Sequence, residues 1–182
     1  MKPFPIQSVT ASRCCEGRVA MSYRFARWVP LLLRLVTGYG LMAHGVAKLS
    51  RGAGAFAAVL EAMHVPAPAA MAWLVIVTEF LGGFAVAVGG FIPVVAFPIA
   101  AVLVVAMATV HWPFGFSSIK LVAFTSSGPV FGPPGYELNL FYLACLTALV
   151  LGGPGPLALD TLIATLRRSE PPLAAGAQPS AR

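Results

Sequence analysis

Residues 69–112 read AAMAWLVIVTEFLGGFAVAVGGFIPVVAFPIAAVLVVAMATVHW, and this stretch decides the fold class. Before His111 it holds one ionisable side chain, Glu79, and near its middle stands the turn sequence Gly89-Gly90-Phe91-Ile92-Pro93. A transmembrane helix needs about 20 mostly apolar residues to cross a hydrocarbon core about 30 Å thick. The stretch is long enough for two such helices, over about residues 69–91 and 93–112, folded against each other at the glycine-rich turn.

Working outward, residues 28–49 form another apolar run, opened by Pro30 and interrupted by Arg34, His44 and Lys48. Arg34 lies near its start, where a long basic side chain can snorkel toward the headgroups. Residues 136–153 form a fourth run of roughly 27 Å at about 1.5 Å per residue, slightly short of the core thickness. Over the whole chain 58% of residues are apolar, only 10% are charged, and the mean hydropathy is +0.84. A soluble domain would need more surface charge. The expected fold is an all-α integral membrane protein, a bundle of four transmembrane helices. A transmembrane β-barrel is excluded, because it requires alternating polarity in segments of about ten residues. The run after Arg27 is longer than a signal-peptide core and lacks a cleavage site, so it is read as the first span.

Residues 1–27 are expected to be an amino-terminal cytoplasmic segment. Its first 20 residues show no helical periodicity and Met21 opens the regular pattern, so translation from Met21 is expected. Residues 154–182 are read as a cytoplasmic tail, Pro- and Ala-rich and disordered after Arg168. Orientation follows the bias that keeps Lys and Arg on the cytoplasmic side. Lys2, Arg13, Arg18, Arg24 and Arg27 precede the first span and Arg167, Arg168 and Arg182 follow the last. Both termini are therefore placed in the cytoplasm. The net charge of +6 is accounted for by this topology. The partner it implies is the lipid bilayer with its anionic headgroups, not nucleic acid.

Helix direction then gathers His44, Lys48, Glu79, His111 and Glu137 in the outer half of the bundle. His44 and Lys48 are four residues apart and share a face. Glu79 lies on a stripe with Gly82, Gly83, Val86 and Gly90, whose small side chains allow another helix to approach. The outer loop from Pro113 to Gly135 is rich in aromatic and small residues, and is read as a lid over the bundle's mouth with its aromatics at headgroup level. In the first outer loop, Phe56, Val59, Leu60 and Met63 recur at helical spacing, which predicts a short interfacial helix.

Four readings of the polar set stand side by side. In the structural one, an ion pair such as Glu79 with Lys48 only ties helices together. In the second, a polar pocket open to the outer side binds a small ligand such as a quinone headgroup, with the histidines as donors or proton relays and Glu79 as acceptor. Two histidines and two carboxylates suggest a metal or haem site, but Lys48 beside His44 opposes a cation electrostatically, so no metal is assigned. A small-molecule carrier would use the same pocket, though four helices would need oligomerisation for alternating access. Thiol chemistry has no Cys-x-x-Cys pair: Cys14 and Cys15 are adjacent and Cys145 stands alone as a small core residue. His64 is read as solvent-facing.

The spaced elements GYGLMAHGVAKL (38–49), TEFLGG (78–83), His111 closing the third span, GYELNLFYLA (135–144) and GGPGPLALD (152–160) resemble the DoxX family of small bacterial membrane proteins. The resemblance runs from about Trp28 to Asp160, and Ala158 stands where the family often has Ser. It implies a four-helix protein of the bacterial cytoplasmic (inner) membrane with a redox association: a subunit of a quinol oxidase, a thiosulfate-oxidising system linked to quinone, or a redox-stress complex. It leaves open whether the chain handles quinone or a small sulfur compound itself or stabilises another complex without catalysis.

Overall fold

The structure is a computed structural model that describes residues 25–168. The expectations about the translation start, Cys14 and Cys15, and the tail beyond Arg168 lie outside those residues. Helix α1 spans Val29–Ser50, α2 Ala53–Ala62, α3 Pro68–Val88 and α4 Ile92–Ala106. Helix α4 continues through a π-helical turn, Met107–His111, and a 3-10 turn, Trp112–Phe114. Strands β1 (Leu121–Thr125) and β2 (Gly128–Phe131) form an antiparallel hairpin. Helices α5 (Glu137–Gly152) and α6 (Leu159–Arg168) complete the described chain. Pro30, Pro68 and Pro93 each sit in the first turn of a helix, where the missing N–H leaves no bond unmade.

Three helical segments are long and apolar enough to cross a membrane: Val29–Ser50, Pro68–Val88 and Ile92–Phe114. With them the chain is a multi-pass membrane protein. Helix α5 has 16 residues, so it is about 24 Å long. It nonetheless packs on both α4 and α1. The buried apolar centre draws on all four of these helices, with Leu41 from α1, Val86 from α3, Ile99 and Leu103 from α4, and Leu146 and Leu149 from α5. Outward-facing positions such as Leu32, Val36, Phe84 and Phe97 are exposed and apolar, as a lipid-facing surface requires.

Close backbone approach sets the α1 and α3 pairing. A methyl group at Gly38 would lie 2.5 Å from the Gly83 carbonyl oxygen, and one at Gly45 would lie 3.0 Å from the Phe80 nitrogen. On the neighbouring face, one at Gly82 would lie 3.0 Å from Ile99 of α4. The small-residue stripe of α3 therefore faces protein on two sides, and van der Waals contact between backbones replaces the hydrophobic drive that lipid cannot supply.

Arg34 does not snorkel. It is fully buried, and its Nη2 donates to the Pro156 carbonyl at 2.8 Å and its Nη1 to the Val88 carbonyl at 3.5 Å. Val88 ends α3, and Pro156 follows closely on the end of α5. The guanidinium thus meets the negative end of the α3 dipole and a carbonyl of the turn between α5 and α6, which offset its charge without a carboxylate. Gly89, with φ +72°, passes so close to Nη1 that a side chain there would overlap it. The segment Gly152–Asp160 wraps this end of the bundle: Asp160 Oδ1 accepts the Phe91 N–H at 2.9 Å, and the Asp160 N–H donates to the Gly89 carbonyl at 3.1 Å. The carboxyl-terminal flank is therefore helical as far as Arg168, in an element too short to stand out by apolar length.

The loop read as a lid is instead the β1–β2 hairpin, and it does not cover the bundle. Both of its faces are exposed, with Val122 at 67% and Phe124 at 77%. The short helix predicted in the first outer loop is α2, which lays Phe56 and Leu60, with Met63 just past its end, half-buried beside α3.

Candidate functional site

Glu79 lies near the middle of α3 and is 6% exposed. A carboxylate at that depth is costly unless it is paired. Lys48 supplies the partner. Helical side chains lean toward the helix amino terminus, so Lys48 reaches back along α1 and its Nζ forms an ion pair with Glu79 Oε2. The same ammonium lies 5.5 Å from the centre of the Phe56 ring on α2, a cation–π contact that places three elements around one charge.

His44 sits one turn before Lys48 on the same side of α1. Its ring meets Tyr142 of α5 edge to face, with centroids 6.0 Å apart and planes at 84°. The Tyr142 hydroxyl lies directly over Gly40, where a side chain would overlap it, so Gly40 admits the phenol between the two helices. His44 is close enough to Glu79, Lys48 and His111 to feel their charges, and Tyr142 feels that of Glu79. His44 is also exposed, although it stands six residues before the end of α1, or about 9 Å along the axis. Its exposed side lies within the apolar span.

His111 ends the π-helical turn, and its Nδ1 is 3.0 Å from the Pro134 carbonyl oxygen. A carbonyl only accepts, so Nδ1 carries the hydrogen and Nε2 of the neutral ring is left as an acceptor. Glu137 stands in the first turn of α5, where its charge suits the helix dipole. Its Oε2 accepts the Ser118 N–H at 2.9 Å. The structure thus brings His44, Lys48 and Glu79 together, keeps His111 within electrostatic reach while tying it to the loop, and assigns Glu137 to the base of the hairpin.

Two members of this region escape a reading of the sequence by charge alone. Tyr142 completes the cluster from α5. Asn139, one turn earlier, is buried and donates from Nδ2 to the Leu103 carbonyl at 3.1 Å, just before α4 widens into its π turn. A buried amide in an apolar helix is itself a signal, because lipid offers it no partner, and its spacing from Tyr142 puts both residues on one face. Cys145 is buried one turn beyond Tyr142. His64 is exposed, at φ 58°. Among the described residues, no three His, Cys, Asp or Glu side chains converge as metal ligands would. The surface grooves bordering α6, lined by Asp160, Ala164 and Arg167 among others, lie at the Arg34 end, away from this cluster.

The DoxX family model matches residues 29–112. Over that segment the chain is similar to the DoxX family. The matched segment carries His44, Lys48, Glu79 and His111, while Tyr142, Asn139 and Glu137 lie beyond it. No curated protein and no solved structure matches the chain.

Proposed function

We propose that this chain is a DoxX-family, redox-associated subunit of a bacterial inner membrane, and that its polar cluster receives a quinone headgroup. The observation that carries the reading is His44: an exposed imidazole at the depth of an apolar span, beside a tyrosine and one turn from a buried ion pair. A headgroup with two carbonyl acceptors would take hydrogen bonds from an imidazole N–H and the Tyr142 hydroxyl. Lys48 and Glu79 would hold a fixed field beside it, and His111 would connect the cluster to the loop. The exposure of His44 six residues before the end of an apolar span favours a membrane-soluble quinone over a small sulfur compound arriving from water.

The same reading takes α5 as a fourth span, supported by its packing on α1 and α4, and places both termini in the cytoplasm. The net positive flanks of the sequence support that orientation. The ion pair favours a second reading, in which the chain is a non-catalytic partner that assembles another membrane complex, because Lys48 and Glu79 already satisfy each other. Membranes carrying His44→Ala or Glu79→Gln, at matched expression, separate the two. Loss of quinone-linked respiratory or thiosulfate-dependent electron transfer with the complex still assembled supports the first. Unchanged transfer in both variants refutes it.

A further inference from the structure

The segment between α4 and α5 is a rigid arm whose surroundings the bundle does not supply. Its neck is fixed by hydrogen bonds from the Gly135, Tyr136 and Glu137 N–H groups to the Ser117, Gly115 and Phe116 carbonyls at 3.0 to 3.1 Å. The Gly132 N–H extends the ladder to the Lys120 carbonyl at 2.8 Å. Trp112 stacks on Tyr136 at 5.3 Å, and Phe116 meets Tyr136 edge to face. A neck bonded in this way does not leave the hairpin free to fold down as a lid.

Beyond the neck, Ile119, Val122, Phe124 and Phe131 are all exposed, and no charged residue occurs between Lys120 and Glu137. An isolated two-stranded hairpin is marginal in water, and an uncharged apolar ribbon there would be worse. The arm is tethered to the membrane-spanning α4 at one end and to α5, which packs on α4 and α1, at the other, and its five-residue strand is about 17 Å long. It therefore cannot leave the neighbourhood of the bilayer. Its turn is polar, Thr125-Ser126-Ser127, and its strand edges carry unpaired backbone groups, which hydrocarbon would not tolerate.

From this we infer that the hairpin is a membrane-interface anchor: it lies in the headgroup and upper acyl region beside the bundle, with Val122, Phe124 and Phe131 in contact with lipid and the Thr125–Ser127 turn in the hydrated layer. The occupant of its apolar surface is thus the bilayer the chain already sits in, continuous with the lipid-facing sides of α4 and α5. An anchor so placed would hold the His111 and Pro134 contact, and with it the outer wall of the polar cluster, at a fixed depth.

The test uses the full chain with Cys14→Ser and Cys15→Ser, leaving the buried Cys145 in place, reconstituted in phosphatidylglycerol and phosphatidylethanolamine vesicles. A nitroxide is attached after Phe124→Cys in one sample and after Ser126→Cys in another. Power saturation should show position 124 relaxed more by oxygen than by a water-soluble nickel chelate, with the order reversed at position 126. Nickel dominance at position 124 would place the arm in water and overturn the inference. Shielding from both reagents would overturn it in favour of a protein surface, and spin–spin broadening at position 124 in favour of a second copy. If either labelled chain fails to purify as a folded species, Val122→Cys is read in the same way.

Discussion

Replacing Lys48 with Met would leave the Glu79 carboxylate, 6% exposed, without its cation. Breaking one side of a buried pair costs about 3–5 kcal/mol, because the remaining charge stays desolvated. The Lys48 side chain keeps 25% of its surface exposed, so water moderates the pair and the expected cost falls to about 2–3 kcal/mol. Glu79→Gln should cost less, about 1–2 kcal/mol, since the ammonium keeps the Phe56 ring and can turn to solvent. The double variant removes both charges and should be more stable than the two single losses imply, by about 2 kcal/mol. Denaturation by SDS titration in mixed micelles measures all three. Additivity of the single effects to within about 0.5 kcal/mol would refute the claim that this pair is a buried, coupled unit.

Gly38→Ala should push α1 away from α3, since its methyl would lie 2.5 Å from the Gly83 carbonyl oxygen. A loss of about 1–3 kcal/mol is expected by the same denaturation assay, whereas Gly54→Ala, with no atom within 4 Å of the new methyl, should leave stability unchanged or raised. Gly89→Ala should reduce the yield of folded protein in membranes sharply, because the new side chain collides with the Arg34 guanidinium and the backbone is held at φ +72°. Asn139→Leu should cost about 1–2 kcal/mol through the lost bond to the Leu103 carbonyl. Reporter fusions at residues 25 and 168 should both report the cytoplasm, with a reporter in the Ser126–Ser127 turn on the opposite side. A split result for the two ends would remove α5 as a span.

Span placement is legible in the amino-acid order because unbroken apolar length is a strong signal, and residues 69–112 alone announce two helices and a turn. The stripe of Gly82 and Gly83 also points correctly to helix contact. Arg34 departs from its expected snorkelling because hydropathy treats a basic residue near a helix end as free to reach water, whereas here the carboxyl end of α3 and a turn carbonyl after α5 converge on it from residues 54 and 122 positions away. The hairpin departs from the expected lid because Gly and Pro at 128, 129 and 132–135 signal turns, while strand pairing between residues 121 and 131 depends on the neck bonds that no local pattern reveals. In the polar cluster, the spacing of His44 and Lys48 is visible on one helix. Tyr142 is not, because its place beside His44 depends on Gly40 opening a gap between α1 and α5.

The proposal that the cluster receives a quinone headgroup is tested most directly by binding. A short-chain benzoquinone titrated calorimetrically into the purified chain in lipid nanodiscs, with empty nanodiscs subtracted, should give saturable one-site binding. Loss of a headgroup hydrogen bond in His44→Leu or Tyr142→Phe should weaken it by about tenfold, equivalent to about 1.4 kcal/mol. Non-saturable partitioning that is the same in the wild type and in His44→Leu would contradict the proposal.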